Sequence, residues 1–293
     1  MRRFIYLNMT THIILNAQKY PLSVRLFTPA VGAARGAVLI APAFGVPQTY
    51  YTSFATWLSE QGYVVATFDY SGFAASLAAG DVPLKNIRAN MLDWADDAGR
   101  VLTMLQTHAP NLPVSWLGHS LGGQLAGLIP NHHLLHKILT IGVGSGYWRE
   151  NTPSLKRYVW LMWYIFVPLT TPMLGYFPGK RLNMVGDLPR GVIEQWRRWC
   201  LHKDYAIGVE GDAVRVKYAA VQTPLTSFSF TDDEFMSLQS TASLHGFYSN
   251  APKTMRRFTP AEIDVKRIGH FGFFREQFKP TLWREALAEL AQA

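Results

Sequence analysis

Val114-Ser115-Trp116-Leu117-Gly118-His119-Ser120-Leu121-Gly122-Gly123 is the stretch whose reading decides the fold. A four-residue apolar strand runs into Gly-x-Ser-x-Gly, and a helix from Leu121 to Leu128 follows at once. So tight a turn strains the backbone of the serine, and glycines two positions to either side leave room for strand and helix to approach. The turn lifts the Ser120 hydroxyl clear of the sheet and aims the first N–H groups of the helix at whatever it attacks, a setting that suits a developing anion. A glycine-rich junction without chemistry is the bland alternative. Strand, glycines and helix together favour a nucleophile.

Outward from this stretch, short β-branched runs alternate with helical ones, the sign of a mostly parallel sheet covered on both faces. His12 to Leu15 and Ser23 to Phe27 read as an opening antiparallel pair. Ala37 to Pro42, Tyr63 to Asp69, Val114 to Leu117, Lys137 to Val143 and Pro224 to Phe230 read as buried strands. Helices are expected from Tyr50 to Gln61, ending at Gly62, from Asn90 to Thr107, and from about Thr281 to Leu290. The expected class is α/β, one domain over residues 1–293, with a helical insertion at about 147–206 covering one end of the sheet.

The bulk numbers fit one globular enzyme-sized core. Of 293 residues 48% are hydrophobic and 16% charged, so the chain is neither disordered nor supercharged. The formal charge of +8 invites a nucleic-acid partner, yet no Lys/Arg run reads as a recognition helix or arm, and none is expected. The single cysteine, Cys200, excludes an intramolecular disulfide, fits a reducing compartment and reads as an inert packed thiol. Residues Met1 to Asn8 lack a long apolar run and a small-residue cleavage site, so no signal peptide and a cytoplasmic setting are expected.

The serine motif, Ala41-Pro42-Ala43-Phe44-Gly45-Val46-Pro47, Phe68-Asp69-Tyr70-Ser71-Gly72 and Gly269-His270-Phe271-Gly272-Phe273-Phe274 together resemble the α/β-hydrolase superfamily. Within it they are similar to little-characterised bacterial hydrolases near the serine aminopeptidase and monoacylglycerol lipase branch. The resemblance covers nearly the whole chain and is least informative in the insertion. It implies the chain order nucleophile, acid, histidine. After the strand ending at Phe230 come Thr231-Asp232-Asp233-Glu234-Phe235-Met236, and the family pattern of Asp, two residues and an apolar one selects Asp233. Asp232 stays open as the alternative, read as a turn residue. The base is His270, in a glycine-flanked loop before the final helix. By the same alignment the oxyanion donors are the backbone N–H groups of Leu121 and Phe44, although Pro42 and Ala43 replace the family's His and Gly.

The other candidates read as structural. His119 should point away from Ser120, and His245 reads as the end of a helix closed by Gly246. His132, His133 and His136 have helical metal-ligand spacing but no carboxylate or cysteine beside them, so a solvated helix end and no metal are expected. Gly142-Val143-Gly144-Ser145-Gly146 lacks the context of a dinucleotide loop and reads as a flexible strand end near the pocket. No cofactor is expected.

The insertion holds five of the nine tryptophans, and nine Lys/Arg against four Asp/Glu. Tyr158 to Gly179 carries no charge, but Pro168, Pro172, Gly175 and Pro178 interrupt it, and a span there would separate Ser120 from Asp233 and His270. No transmembrane span is expected. The segment reads as a cap whose aromatics, Trp160, Trp163 and Tyr164, shape an apolar pocket. A second reading rests its tryptophans and arginines peripherally on a membrane surface. The expected function is a serine hydrolase cleaving an apolar or medium-chain carboxylic ester, a small molecule, through an acyl-enzyme on Ser120. The alternatives are an amidase or aminopeptidase and an inactive scaffold binding lipid or protein; oligomeric state is left open.

Overall fold

A computed structural model describes residues 8–292. The signal-peptide reading of the N-terminal stretch therefore lies, Asn8 apart, outside the described residues. In chain order the strands are β1 Met9–Leu15, β2 Pro21–Phe27, β3 Gly36–Ala41, β4 Tyr63–Phe68, β5 Val114–His119, β6 Leu135–Ile141, β7 Tyr176–Phe177, β8 Leu188–Pro189, β9 Leu225–Phe230 and β10 Lys253–Phe258. The helices are α1 Thr52–Glu60, α2 Ala74–Ala78, α3 Met91–His108, α4 Leu121–Gln124, α5 Pro153–Leu161, α6 Val167–Leu174, α7 Arg190–Leu201, α8 Tyr205–Glu210, α9 Asp212–Ala220, α10 Leu238–His245 and α11 Leu282–Leu290.

Eight strands form one sheet in the order β1-β2-β4-β3-β5-β6-β9-β10. β1 and β2 are antiparallel, β2 pairs antiparallel with β4, and every later pairing is parallel. The central strands β3, β4, β5 and β9 are buried throughout, as strands covered on both faces must be. On one face α1 and α11 pack Phe54, Trp57 and Trp283 against Val65, Leu117 and Phe228, with the Phe54 and Trp283 rings 5.1 Å apart. Burying each such side chain is worth about 1.5–3 kcal/mol. On the other face lie α3, with Trp94 and Leu102, and the helices between β6 and β9.

Local chemistry sets the ends of these elements. The Asn90 side chain accepts from the N–H groups of Leu92 and Asp93 while Asp93 accepts from the Asn90 N–H, a capping box that starts α3 one residue after the expected point. β1 and β2 are longer than expected by the residues Met9–Thr11 and Pro21–Leu22. The expected helix from Leu121 to Leu128 is a short α4 followed by a 3-10 turn at Leu125–Gly127. One strand of this sheet was not expected: β10 closes its edge with Lys253, Thr254 and Met255 exposed, so no apolar run announces it; the short β7–β8 pair was not expected either.

Between β6 and β9 the chain runs through α5, a π-helical turn at Met162–Phe166, α6, the β7–β8 pair and α7 to α9. Pro168 sits in the first turn of α6, Pro172 lies inside it, and Gly175 ends it at φ 78°. Helicity continues past residue 206: α9 returns to the sheet, where Tyr218 packs so tightly on Gly127 that an added Cβ there would lie 2.4 Å from its ring.

Candidate active site

Ser120 lies between β5 and α4 with φ 49° and ψ −115°, a conformation that costs a non-glycine residue on the order of 1–3 kcal/mol. Its neighbours enforce the turn. A Cβ on Gly122 would lie 2.1 Å from the Ala41 carbonyl oxygen, and one on Gly118 would lie 2.4 Å from Gly123 Cα. The Ser120 N–H donates to the Ile141 oxygen at the end of β6, at 3.0 Å. The residue is buried, and its side chain lines a cavity that His270 also lines. No hydrogen bond joins the two side chains among the described residues.

The turn after β9 carries three consecutive carboxylates, and each holds the His270 loop differently. Asp233 is buried. Its Oδ2 lies 2.8 Å from His270 Nδ1, while Oδ1 accepts from the N–H groups of Phe235 and Met236 at 2.8 Å each. Asp232 accepts from the backbone N–H groups of Ile268 (2.8 Å) and Gly269 (3.2 Å), and Glu234 accepts from that of His270 (2.9 Å). Asp232 thus does more than form a turn: with Glu234 it fixes the loop that presents the imidazole. Gly142, at φ 59°, lies against this pair, with an ideal Cβ 3.4 Å from both Asp233 Oδ2 and His270 Nδ1.

Of the two expected oxyanion donors, Phe44 lines the cavity and Leu121 follows Ser120 directly in the chain. The Ala43 N–H is taken by the Tyr51 hydroxyl at 2.8 Å, whereas the N–H groups of Phe44 and Leu121 have no partner among the described residues. The Phe44 ring is held by Trp196 at a centroid distance of 3.9 Å and by Trp94 at 5.8 Å.

His119 does not line the cavity at Ser120, and both its ring nitrogens have partners. It is fully buried; its Nε2 lies 3.1 Å from the His270 carbonyl oxygen and its Nδ1 2.9 Å from the Tyr51 hydroxyl. A carbonyl only accepts, so Nε2 carries the proton and Nδ1 accepts from Tyr51. Burial, and secondarily His270, holds its pKa well below the ordinary value, consistent with that neutral tautomer. A directed chain results: Ala43 N–H to Tyr51 O–H to His119, and His119 N–H to the His270 carbonyl. It ties the loop after β3 to the loop bearing the imidazole.

The cavity has a volume of about 150 Å³ and is walled mostly by apolar side chains, among them Leu155, Val159, Met162, Trp163 and Trp196. Of the three aromatics expected to shape it, only Trp163 does. Trp160 is 40% and Tyr164 52% exposed, and neither lines it. They point outward, where the Trp160 indole donates to the Arg157 oxygen at 3.0 Å and the Arg197 guanidinium lies over the Tyr164 ring. The physical reason is helical phase: residues 160 and 164 share one face, while Leu155, Val159, Met162 and Trp163, at i, i+4, i+7 and i+8, share the other. Phe44, Phe235 and Phe271 also line the cavity, and only proximity to the motif residues could have found them. Cys200 lines it as well, its thiol pushed well up by burial.

The remaining candidates stand apart. His245 ends α10 with Nε2 at 2.9 Å from Thr140 Oγ1 and Nδ1 at 2.7 Å from the Thr241 oxygen. His132 and His133 lie in a 3-10 turn and His136 begins β6, where its Nδ1 accepts from Val114. No group of three or more His, Cys, Asp or Glu positioned for a metal occurs among the described residues. Nor is any described helix long and apolar enough to cross a membrane. Gly142 to Gly146 is buried beside the pocket, which Gly146 lines.

Residues 32–166 match the family model described as serine aminopeptidase, S33. No curated protein matches the chain in sequence. Among solved structures, a thermostable carboxyl esterase from Bacillus coagulans superposes with a TM-score of 0.62 at 14% identity, over 96% of this chain and 99% of that one. A soluble variant of monoglyceride lipase from Saccharomyces cerevisiae, bound to a substrate analog, gives 0.65 at 14% identity over 99% and 94%. The esterase domain of a Rhodothermus marinus protein gives 0.57 at 17% over 96% and 98%. With its sheet order, its strained serine after β5 and these likenesses, the chain has the α/β-hydrolase fold, and over residues 32–166 it is similar to the serine aminopeptidase family.

Proposed function

We propose that the chain is a serine hydrolase acting on carboxylic esters of apolar acyl groups. Ser120 Oγ attacks the ester carbonyl while its proton passes to His270 Nε2. Asp233 holds Nδ1–H and stabilises the imidazolium. The charge on the carbonyl oxygen is met by the N–H groups of Phe44 and Leu121. The C–O bond to the alcohol breaks, the alcohol takes the proton from His270, and the acyl group remains on Ser120. Water, deprotonated by His270, then attacks, and the acid leaves as Ser120 regains its proton.

What carries this reading is the 2.8 Å contact between Asp233 and His270, whose imidazole shares the lining of one cavity with a strained serine. The esterase and lipase likenesses support it. An aminopeptidase is less well served, because no carboxylate among the described residues lines the cavity to receive an N-terminal ammonium. Ser120→Ala tests the reading: hydrolysis of p-nitrophenyl butyrate should fall by ~10⁴-fold or more, and retained activity would remove Ser120 from the mechanism.

The segment between β6 and β9 acts as a cap in this reading. A specific observation favours a second role for its outer face. Tyr158, Tyr164, Ile165, Leu169 and Met173 are exposed there beside Lys156, Arg157 and Arg197, a composition suited to an anionic lipid surface. Co-sedimentation with anionic vesicles tests that contact.

A further inference from the structure

The cavity at Ser120 is mostly apolar, and beside the Trp163 indole N–H and the Cys200 thiol one lining side chain that the mechanism above does not use is an amide. Asn151, 6% exposed, lines it, and its side-chain amide has no hydrogen-bond partner among the described residues. Its neighbours in the chain are firmly tied. Glu150 accepts from Ser145 at 2.7 Å and from Ser243 at 3.0 Å; the Thr152 hydroxyl donates to the Glu234 oxygen and its N–H to the Phe235 oxygen. The backbone on either side of Asn151 is thus fixed, and its amide has a donor and an acceptor to spare beside apolar walls. Polar groups placed in apolar pockets serve to orient ligands.

Volume limits what sits there. An apolar cavity of about 150 Å³ accepts a group the size of benzene, roughly six non-hydrogen atoms. A second chamber of about 410 Å³ continues from it past Phe44, Leu155 and Met162 to Tyr158 and Met184, which are exposed; neither Ser120 nor His270 lines it. With the alcohol in the chamber that leads outward, it can depart while the acyl group is still bonded to Ser120. The small inner cavity is left to the acyl group.

We propose that Asn151 selects esters whose short acyl group carries a hydroxyl or keto oxygen, which its amide hydrogen-bonds. This rests on the serine-hydrolase reading and narrows its apolar acyl group to a short one that carries a single polar oxygen. A site built to hydrogen-bond a substrate oxygen discriminates strongly against the analogue that lacks it.

Three ethyl esters of similar size test the proposal, 3-hydroxybutanoate, 3-oxobutanoate and 3-methylbutanoate, with each kcat/KM divided by the ester's rate in hydroxide alone. The wild type should prefer the two oxygenated esters about tenfold or more. Asn151→Leu should bring that ratio to one or below, and Asn151→Ala, smaller and easier to accommodate, should abolish most of it. A matched pair differing in the alcohol, 3-hydroxybutyl and 3-methylbutyl acetate, should show no such discrimination. A wild-type ratio of one or less, a ratio unchanged in both variants, or discrimination confined to the alcohol pair would overturn the proposal. Failure of the underlying reading looks different: no ester is hydrolysed, or Ser120→Ala hydrolyses them as fast as wild type.

Discussion

His119 stands next to the nucleophile in sequence, yet its contribution runs through its neighbours rather than through substrate. The expectation that it points away from Ser120 follows from alternation along a strand. What alternation cannot reveal is that residue 51 and the carbonyl of residue 270 arrive on its two ring nitrogens from distant parts of the chain. Tyr51→Phe keeps the ring and its packing but leaves the Ala43 N–H and His119 Nδ1 without partners. The predicted result is a kcat lowered about tenfold with KM within about twofold, less than the 10²–10³ expected when an oxyanion donor itself is lost. Steady-state kinetics on a soluble ester check this, and an unchanged kcat in a folded variant would show that the chain of hydrogen bonds does not hold the two loops.

Among elements, the β5–α4 turn was legible because its requirements are steric and local: an apolar strand, glycines where no Cβ fits, and a helix. The acid turn was half legible. The resemblance selected Asp233, but the work of Asp232 and Glu234 appears only once the loop from Ile268 to His270 lies against them. The segment from Tyr158 to Gly179 was the least legible, since without charges to mark a polar side its inward face cannot be read from periodicity. Helical spacing places Trp163 inward with Leu155 and Val159 while Trp160 and Tyr164 turn out. That outward face should bind vesicles rich in anionic lipid, less at high salt and less in a Leu169→Glu, Met173→Glu variant. Sedimentation unaffected by salt and by both substitutions would deny the face this role.

For the whole molecule, a mostly parallel sheet opened by an antiparallel pair follows from a pattern read along the chain, whereas β10 escaped because its position at the sheet edge leaves it polar and exposed. Folding also buries histidines that carry no catalytic duty. His245 lies under the sheet with its pKa lowered to about 4, chiefly by burial. A histidine depressed in the folded state adds stability that is complete above its unfolded value of about 6.5 and is lost as pH falls through the folded value. Stability should therefore fall between pH 6.5 and 4 by on the order of 3 kcal/mol from this residue, and His245→Gln should show a shallower fall than wild type over that window in urea titrations. Equal slopes would assign the acid sensitivity elsewhere.

The convergence of Ser120, Asp233 and His270 at one edge of the sheet is tested most directly by treating the protein with a fluorophosphonate and mapping the adduct by peptide mass spectrometry. The account predicts one phosphonyl group, on Ser120, formed in step with loss of ester hydrolysis and greatly slowed in His270→Ala. A protein that hydrolyses esters yet stays unlabelled, or that is labelled at another residue, would contradict it.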